Sequence, residues 1–267
     1  MLLKVAGLAR STYYYQMQVA TAPDRHSALK EKIKVVYKKH KGRYGYRRVH
    51  MTLSNEGIHV NHKTVFRLMQ NLGLKSQIRR QRYKSYMGNV GRVAHDLLKR
   101  RFQAKRPNQK WVTDVTEFNI EGSKLYLSPI LDLYNGEIVS YQIAKSPKFE
   151  LVDNMLTKAI KRLNQEDKPI LHSDQGWQYQ MAAYQMRLRQ RGMRISMSRK
   201  GNCLDNAAME SFFGTLKSEC FYTNKFSTVS ELEKTLHEYI RYYNHDRIKL
   251  KLNGLSPVQY RTQAGKT

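Results

Sequence analysis

The chain is poor in cysteine, holding only Cys203 and Cys220 in 267 residues. That scarcity excludes a disulfide-stapled scaffold and cysteine-based zinc sites of the finger type, and it fits a reducing, cytoplasmic compartment. No run approaches the roughly eighteen consecutive apolar residues that a membrane span needs. Residues 1–10 are apolar but show no basic segment followed by a small-residue cleavage site, which argues against a secretory leader. Acid is scarce in the front part of the chain. Residues 1–106 carry 25 Lys/Arg against 4 Asp/Glu, whereas residues 107–267 carry 23 against 17. Most of the net charge of +27 therefore sits in front. Such a balance points to a polyanionic partner, nucleic acid ahead of an anionic membrane surface, for which no amphipathic basic anchor is present. Hydrophobic residues at 40% and aromatics at 10% are enough for a core, so a wholly disordered chain is excluded. The length corresponds to roughly one and a half to two domains.

Along the chain the pattern divides into an N-terminal helical fragment (1–26), a compact helical segment (27–75), a basic linker (76–106), a larger unit (107–226) and a C-terminal helical tail (227–267). In the second segment, Ser27 is expected to cap a helix that buries Leu29, Ile33 and Val36. Another helix starts at Tyr46, and Asn61 is expected to cap a third whose buried stripe is Val65, Leu68, Met69 and Leu72. Lys63 and Arg67 fall on that helix's outer side. The linker concentrates Arg79, Arg80, Arg82 and further cations among few apolar residues.

From Trp111 the period changes. Residues 111–118 alternate as a strand does, and 124–133 and 137–143 read as two more, joined at Asn135-Gly136 by a type I′ hairpin turn. An amphipathic helix (151–163), a short strand ending in Asp174, a helix (182–192), a strand (193–197) and a helix (207–219) behind Asn206 follow. A final helix begins at Ser230, with Ser230 and Glu233 as its capping box. Three strands followed by alternating helices and strands make an α/β unit with a mixed sheet.

Three acids stand where such a fold gathers chemistry: Asp114 in the first strand, Asp174 closing the fourth, and Glu210 on a helix after the fifth. An Asp ending a strand is ordinarily a turn residue, and a helical Glu is ordinarily solvated. The flanks set these apart. Asp114 lies among the strand formers Trp111, Val112, Val115 and Phe118, where a carboxylate is costly unless paired or bound to metal. Glu210 is followed by the apolar anchors Phe212 and Phe213. Carboxylates alone suit Mg²⁺ or Mn²⁺, and three can hold two such ions about 4 Å apart, activating an attacking oxygen and stabilising a leaving one. In so basic a chain the fitting substrate is a phosphodiester.

The motifs Trp111-Val112-Thr113-Asp114-Val115-Thr116, His172-Ser173-Asp174-Gln175-Gly176, Ser198-Arg199-Lys200-Gly201-Asn202-Cys203-Leu204-Asp205-Asn206-Ala207 and Glu210-Ser211-Phe212-Phe213, with Lys217, resemble the DDE transposases. Within these they are most similar to the second-frame proteins of the bacterial insertion-sequence-three family. The 35 residues between Asp174 and Glu210 match that family's spacing and that of retroviral integrases. Lys217 matches the family's basic residue seven positions after the Glu, and Arg43-Tyr44-Gly45-Tyr46-Arg47-Arg48 its helical domain. Tyr243-Asn244-His245-Asp246-Arg247 resembles its C-terminal signature, with Lys249 a departure where many relatives carry His.

The resemblance implies a ribonuclease-H-like integrase core, a mixed five-stranded sheet with helices, preceded by a small all-helical DNA-binding domain. It implies that Asp114, Asp174 and Glu210 hold two Mg²⁺ ions, with Mn²⁺ as a substitute. It implies strand nicking at element ends followed by strand transfer. Lys217, Lys63, Arg67, Arg47, Arg48, Arg79, Arg80 and Arg82 are expected on DNA, the outward helix face and the basic linker supplying most of them. The partners it implies are terminal inverted repeats, target DNA and further copies of the chain in a nucleoid-associated complex. Whether the chain acts alone, or fused to or paired with an upstream-frame helix-turn-helix protein, is left open. A DNA-binding regulator with an inactive core would show mutated acids, and all three are present. A metal-dependent nuclease without transfer shares the same acids. His172 is expected to orient neighbours by hydrogen bonding, Asp132 to be structural, and the tyrosine clusters 13–15 and 242–243 to pack rather than stack on bases.

Overall fold

The structure is a computed structural model that describes residues 7, 9–21, 24–77, 94–99, 101–198 and 206–264. Arg79, Arg80 and Arg82 lie outside the described residues, as do residues 199–205. The chain divides into two units, Met1–Ser76 and Gln77–Thr267. In the first, helix α1 (Arg10–Thr21) precedes α2 (Ser27–Lys39), α3 (Tyr46–Asn55) and α4 (His62–Asn71). Their apolar stripes, Ile33 and Val36 on α2, Val49 and Leu53 on α3, and Val65, Leu68 and Met69 on α4, are buried. Asn61 caps α4 as expected, its Oδ1 accepting from Lys63 N at 2.8 Å. Ser27 does not cap α2. It is already helical, and Asp24 satisfies the entry instead by accepting from His26 N at 2.9 Å. Tyr13, Tyr14 and Tyr15 are exposed on α1, against the expectation that they pack.

The second unit is built on strands β1 (Lys110–Thr113), β2 (Thr116–Ile120), β3 (Ser123–Asp132), β4 (Ile138–Ala144), β5 (Ile170–Ser173) and β6 (Arg194–Met197). β3 pairs antiparallel with β1, β2 and β4, while β5 lies parallel to both β1 and β6. The pairs Thr113↔Ile130 and Thr116↔Leu127 belong to one unbroken register along β3. β1 and β2 are thus one ribbon interrupted at Asp114 and Val115, and the sheet has the five ribbons expected. The reason for the break is legible in that register. It sets Asp114 opposite Pro129, which has no amide hydrogen to give the ladder. Asp114 therefore follows a strand end instead of lying within a strand.

Alternation along the ribbons separates two cores. Trp111, Ile130 and Leu171 face α5 (Phe149–Ile160) and α7 (Ala182–Gln190), meeting Val152, Met155, Leu156, Tyr184 and Leu188. Val112, Leu127 and Leu131 face the opposite way, towards Met209, Phe212, Phe213 and Leu216 of α8 (Ala207–Leu216) and Leu232, Leu236 and Tyr239 of α9 (Val229–His245). The helix of the sequence reading changes at Lys217 into a π-helical turn, Lys217–Phe221. Three local expectations fail. The β3–β4 connection is a five-residue loop, 133–137, held by Gly136 N donating to Asp132 O at 2.7 Å, with only Gly136 at positive φ, so it is not a type I′ turn. Thr228, not Ser230, caps α9, accepting from Glu231 N at 3.1 Å, because the helix starts one residue earlier than expected. Asn206 makes no cap bond. The short helix α6 (Trp177–Gln180) and the last helix α10 (Pro257–Ala264) went unpredicted.

Candidate active site

The parallel pairing of β1 with β5 builds the site. Its register runs Lys110↔Ile170, Trp111↔Leu171, Val112↔His172. Continued by two residues, it sets Asp114 beside Asp174 at the carboxyl ends of neighbouring strands, which lie about 4.8 Å apart. Each carboxylate is oriented locally: Asp114 Oδ1 accepts from Val115 N at 2.7 Å, and Asp174 Oδ1 from Gly176 N at 2.9 Å. A Cβ on Gly176 would come within 3.0 Å of Asp174 Oδ1, so that turn has little room for a side chain. Burial, then the charge of Asp174 and of Glu210, pushes the Asp114 carboxyl well above its usual range, with Lys217 opposing. Burial raises Asp174 and Glu210 as well.

Glu210 reaches this edge on α8. The buried Met209, Phe212, Phe213 and Leu216 fix the roll of that helix. Asn206, the residue before it, spans to β1 with its Nδ2 donating to Thr113 O at 3.3 Å, one residue before Asp114. Lys217 follows two turns after Glu210. Its Nζ lies 5.3 Å from the centroid of the Phe118 ring. Burial lowers its pKa, opposed by the charges of Glu117 and Asp114. Among the described residues no group of three His, Cys, Asp or Glu forms a ready-made metal cluster. The donor set nevertheless suits a hard cation: it is all oxygen, partly desolvated and self-repelling, with Lys217 a nearby positive charge.

Other expected residues fall elsewhere. Lys63 and Arg67 are exposed on α4 and Arg47 on α3. The Arg48 guanidinium lies over the buried Tyr44 ring, 5.6 Å from its centroid. His172 is fully buried with Nδ1 2.8 Å from Ser196 Oγ, which fits the orienting role. Asp132 is structural as expected, accepting from Asn108 N and Tyr134 N. Tyr243 packs edge-on against Phe212. Lys249 donates from Nζ to Tyr243 Oη at 2.8 Å and to Gly136 O at 3.2 Å, holding the β3–β4 loop. Sequence reasoning missed two features: Tyr179, buried behind the acids, and the ion pair of Arg247 with Glu219 on the π-helical turn. Arg247 stood in the C-terminal motif, but nothing local marked Glu219 as its partner.

Residues 104–203 and 210–264 match models of the integrase core domain, and residues 24–82 match an HTH-like domain. The chain is 54% identical to the putative transposase InsK for insertion sequence element IS150 of Escherichia coli (strain K12), over 98% of this chain and 93% of the relative. The chain belongs to the IS3 family of DDE transposases. It is 32% identical to the IS3-family transposase InsF for insertion sequence IS3A of Escherichia coli (strain K12), over 96% of this chain and 91% of that one. A transposase-like protein of Haemophilus influenzae (strain ATCC 51907 / DSM 11121 / KW20 / Rd) is 60% identical over 78% of this chain and 96% of its own length. The catalytic core domain of HTLV-2 integrase, solved in complex with magnesium, aligns with a TM-score of 0.47 at 18% identity, covering 59% of this chain and 98% of that one. Like its family, this transposase cleaves DNA at insertion-sequence ends and transfers the strand, and it carries a helical DNA-binding domain ahead of an α/β core. No described helix is long and apolar enough to cross a membrane.

Proposed function

We propose that Asp114, Asp174 and Glu210 are the catalytic acids of this transposase and would hold two Mg²⁺ ions, for which Mn²⁺ substitutes. The observation that carries the proposal is the register that sets Asp114 beside Asp174, where the charges of Asp174 and Glu210 act on Asp114 and Lys217 is the one opposing cation among the described residues. When bound, the metals supply activation of the attacking oxygen and charge stabilisation at the leaving one. In the first step water attacks the phosphodiester at the element end, the P–O3′ bond breaks, and a 3′-hydroxyl is released. In the second that hydroxyl attacks a target phosphodiester, forming a new P–O bond and expelling the target's 3′-oxygen. Asp114 and Asp174, clamped by Val115 N and Gly176 N, keep their orientation through both steps. Lys217 acts as a point charge on the backbone next to the scissile phosphate.

Segment 27–75 acts as the DNA-recognition domain, with Lys63, Arg67, Arg47 and Arg48 on DNA. Segment 76–106, with Arg79, Arg80 and Arg82, supplies phosphate contacts. Segment 107–226 is the catalytic core and 227–267 its helical tail. The working form is an oligomer on the terminal inverted repeats and target DNA in the bacterial cytoplasm, paired with or fused to an upstream-frame helix-turn-helix protein. The test is strand cleavage and transfer on an element-end duplex under Mg²⁺, Mn²⁺ and EDTA. Activity is expected with either metal and is lost in EDTA. Full transfer in EDTA would overturn the metal assignment.

A further inference from the structure

Phe66 is 45% exposed, and it is the one large hydrophobic residue exposed on α3 or α4. It belongs to the outer stripe of α4, where the exposed His62, Phe66 and Gln70 recur four apart beside Lys63 and Arg67. The opposite stripe, Val65, Leu68 and Met69, is buried and fixes the roll of the helix. Asn61 caps the first turn of α4, and Gly57, at φ +80°, lets the chain leave α3 ahead of it. α3, the turn and α4 therefore form a rigid mount for what the outer stripe meets.

Aromatic neighbours hold the Phe66 ring. The Tyr46 ring, at the start of α3, lies 5.0 Å from it at an angle of 60°. The His62 ring lies 6.4 Å from Tyr46, and the His50 ring 6.1 Å from His62. Arg47 donates from Nε to Tyr46 Oη at 3.1 Å. Neither α3 nor α4 carries an Asp or a Glu. The result is an apolar ring framed by cations, which suits a polyanion that also has an apolar feature at its edge. In the major groove of duplex DNA the faces of the bases are stacked out of reach, and their edges offer one apolar group, the 5-methyl of thymine. Lys63 and Arg67 alone would serve phosphates, and an exposed aromatic ring beside them adds nothing to that task.

We propose that Phe66 is a specificity-determining residue that packs against the 5-methyl group of a thymine in the element-end DNA, with Tyr46 holding its ring. This rests on the reading of segment 27–75 as the DNA-recognition domain and deepens it by naming the base feature that α4 reads. Lys63 and Arg67 set the register on the phosphates, and the ring discriminates between bases. A methyl group lodged against Phe66 leaves water, which is worth about fourfold in affinity for each thymine so covered.

The test uses the full chain and a duplex carrying the terminal inverted repeat. It is compared with the same duplex in which deoxyuridine replaces thymidine, so that only methyl groups are lost. The parent should bind the uracil duplex roughly fourfold or more weakly. Phe66→Ala should bind the thymine duplex more weakly than the parent does and should no longer distinguish the two duplexes. Phe66→Leu should keep part of the distinction. Equal affinity of the parent for both duplexes overturns the proposal, and that comparison needs no variant to fold. Discrimination by Phe66→Ala equal to the parent's also overturns it. Loss of discrimination supports the proposal when Phe66→Ala keeps the parent's melting temperature, whereas a lowered melting temperature points to packing between α3 and α4 and overturns it. Lys63→Ala combined with Arg67→Ala separates the two layers. If element-end affinity and its salt dependence stay at the parent's values, the reading of α4 as a DNA-contacting helix fails. If both fall while the parent does not distinguish the duplexes, only the role of Phe66 fails.

Discussion

The two ends of β1 give buried acids different amounts of compensating charge, although burial raises the Asp132 carboxyl at one end as it does Asp114 at the other. At its start, Asp132 pairs with Trp111 in the sheet and lies 3.6 Å from Arg261, while Glu137 on the adjoining loop meets Arg261 at 2.6 Å and Arg162 at 2.8 Å. At its end, about 10 Å along the strand, Asp114 and Asp174 lie side by side, each accepting from a backbone N–H, with the charges of Glu210 and Lys217 nearby. Burial pushes the Glu137 carboxyl up, but hydrogen bonds and charge from Arg261 and Arg162 outweigh it and hold the group below its ordinary value. Burial and like charge push Asp114 the other way. One end is a lock between the sheet and α10, and the other holds the acids of the proposed metal site. A cleft of about 630 Å³ lined by Lys105, Arg106, Arg162 and Arg261 opens at the locked end, so the proposed site is picked out by the raised carboxyls and not by cavity size.

The largest difference between the ends should appear in activity. Asp114→Asn and Asp174→Asn should each lower strand cleavage by roughly 10³-fold or more, while element-end binding and folding persist. Both should raise the melting temperature in EDTA by relieving repulsion. A collapse of DNA binding alongside cleavage would make these acids structural. At the other end Glu137→Gln should cost about 1–2 kcal/mol in denaturant unfolding, because it removes the charge that the part-exposed Arg261 and Arg162 bond to, yet leave cleavage per folded molecule near the parent. Loss of cleavage without loss of stability would dissolve the distinction.

A pH series sharpens the same contrast. A carboxyl raised in the folded state, as Asp114 is, contributes stability below its unfolded value near 3.8 that is lost as pH rises through the higher folded value. A carboxyl lowered in the folded state, as Glu137 is, contributes stability above its unfolded value near 4.5 that is lost as pH falls through the lower folded value. Without metal, Asp114→Asn should therefore flatten the loss of stability on the alkaline side of pH 3.8, and Glu137→Gln the loss on the acid side of pH 4.5. Mg²⁺ should mimic Asp114→Asn and leave the Glu137 limb untouched. The smallest expected effect is that of Lys217→Ala, which should reduce the slope of log K against log salt for element-end binding by about 0.9, the share of one phosphate contact. Lys217→Arg should keep most of it. An unchanged slope would return Lys217 to a packing role over Phe118.

Much of this arrangement was legible in the residues. The alternation at 111–118, the short strand ending at Asp174 and the Phe212-Phe213 anchor beside Glu210 each reflect a local period, and the order of elements carries the sheet type. Asn61 was readable as a cap because its bond closes within two residues. The start of α9 was misread because Thr228 and Ser230 both offer a capping hydroxyl, and packing of Leu232 and Leu236 selects the earlier one. The interruption of the first ribbon was hidden because its cause, Pro129, lies 15 residues from Asp114 and acts only through register.

The sequence alone therefore determined which residue types were available and the local periods they follow: a basic helical front, strands alternating from Trp111, and three acids spaced on separate elements. Tertiary structure decided which charges are compensated. Arg261 reaches Asn108 across 153 positions and Glu137 across 124, and Arg247 reaches Glu219 across 28. Asp114 and Asp174, 60 apart, are brought together by the parallel pairing of β1 and β5. A carboxylate's environment depends on neighbours distant in sequence, because burial and Coulomb forces act through space. Composition and period run along the chain and could be read there, but the pairing of charges could not.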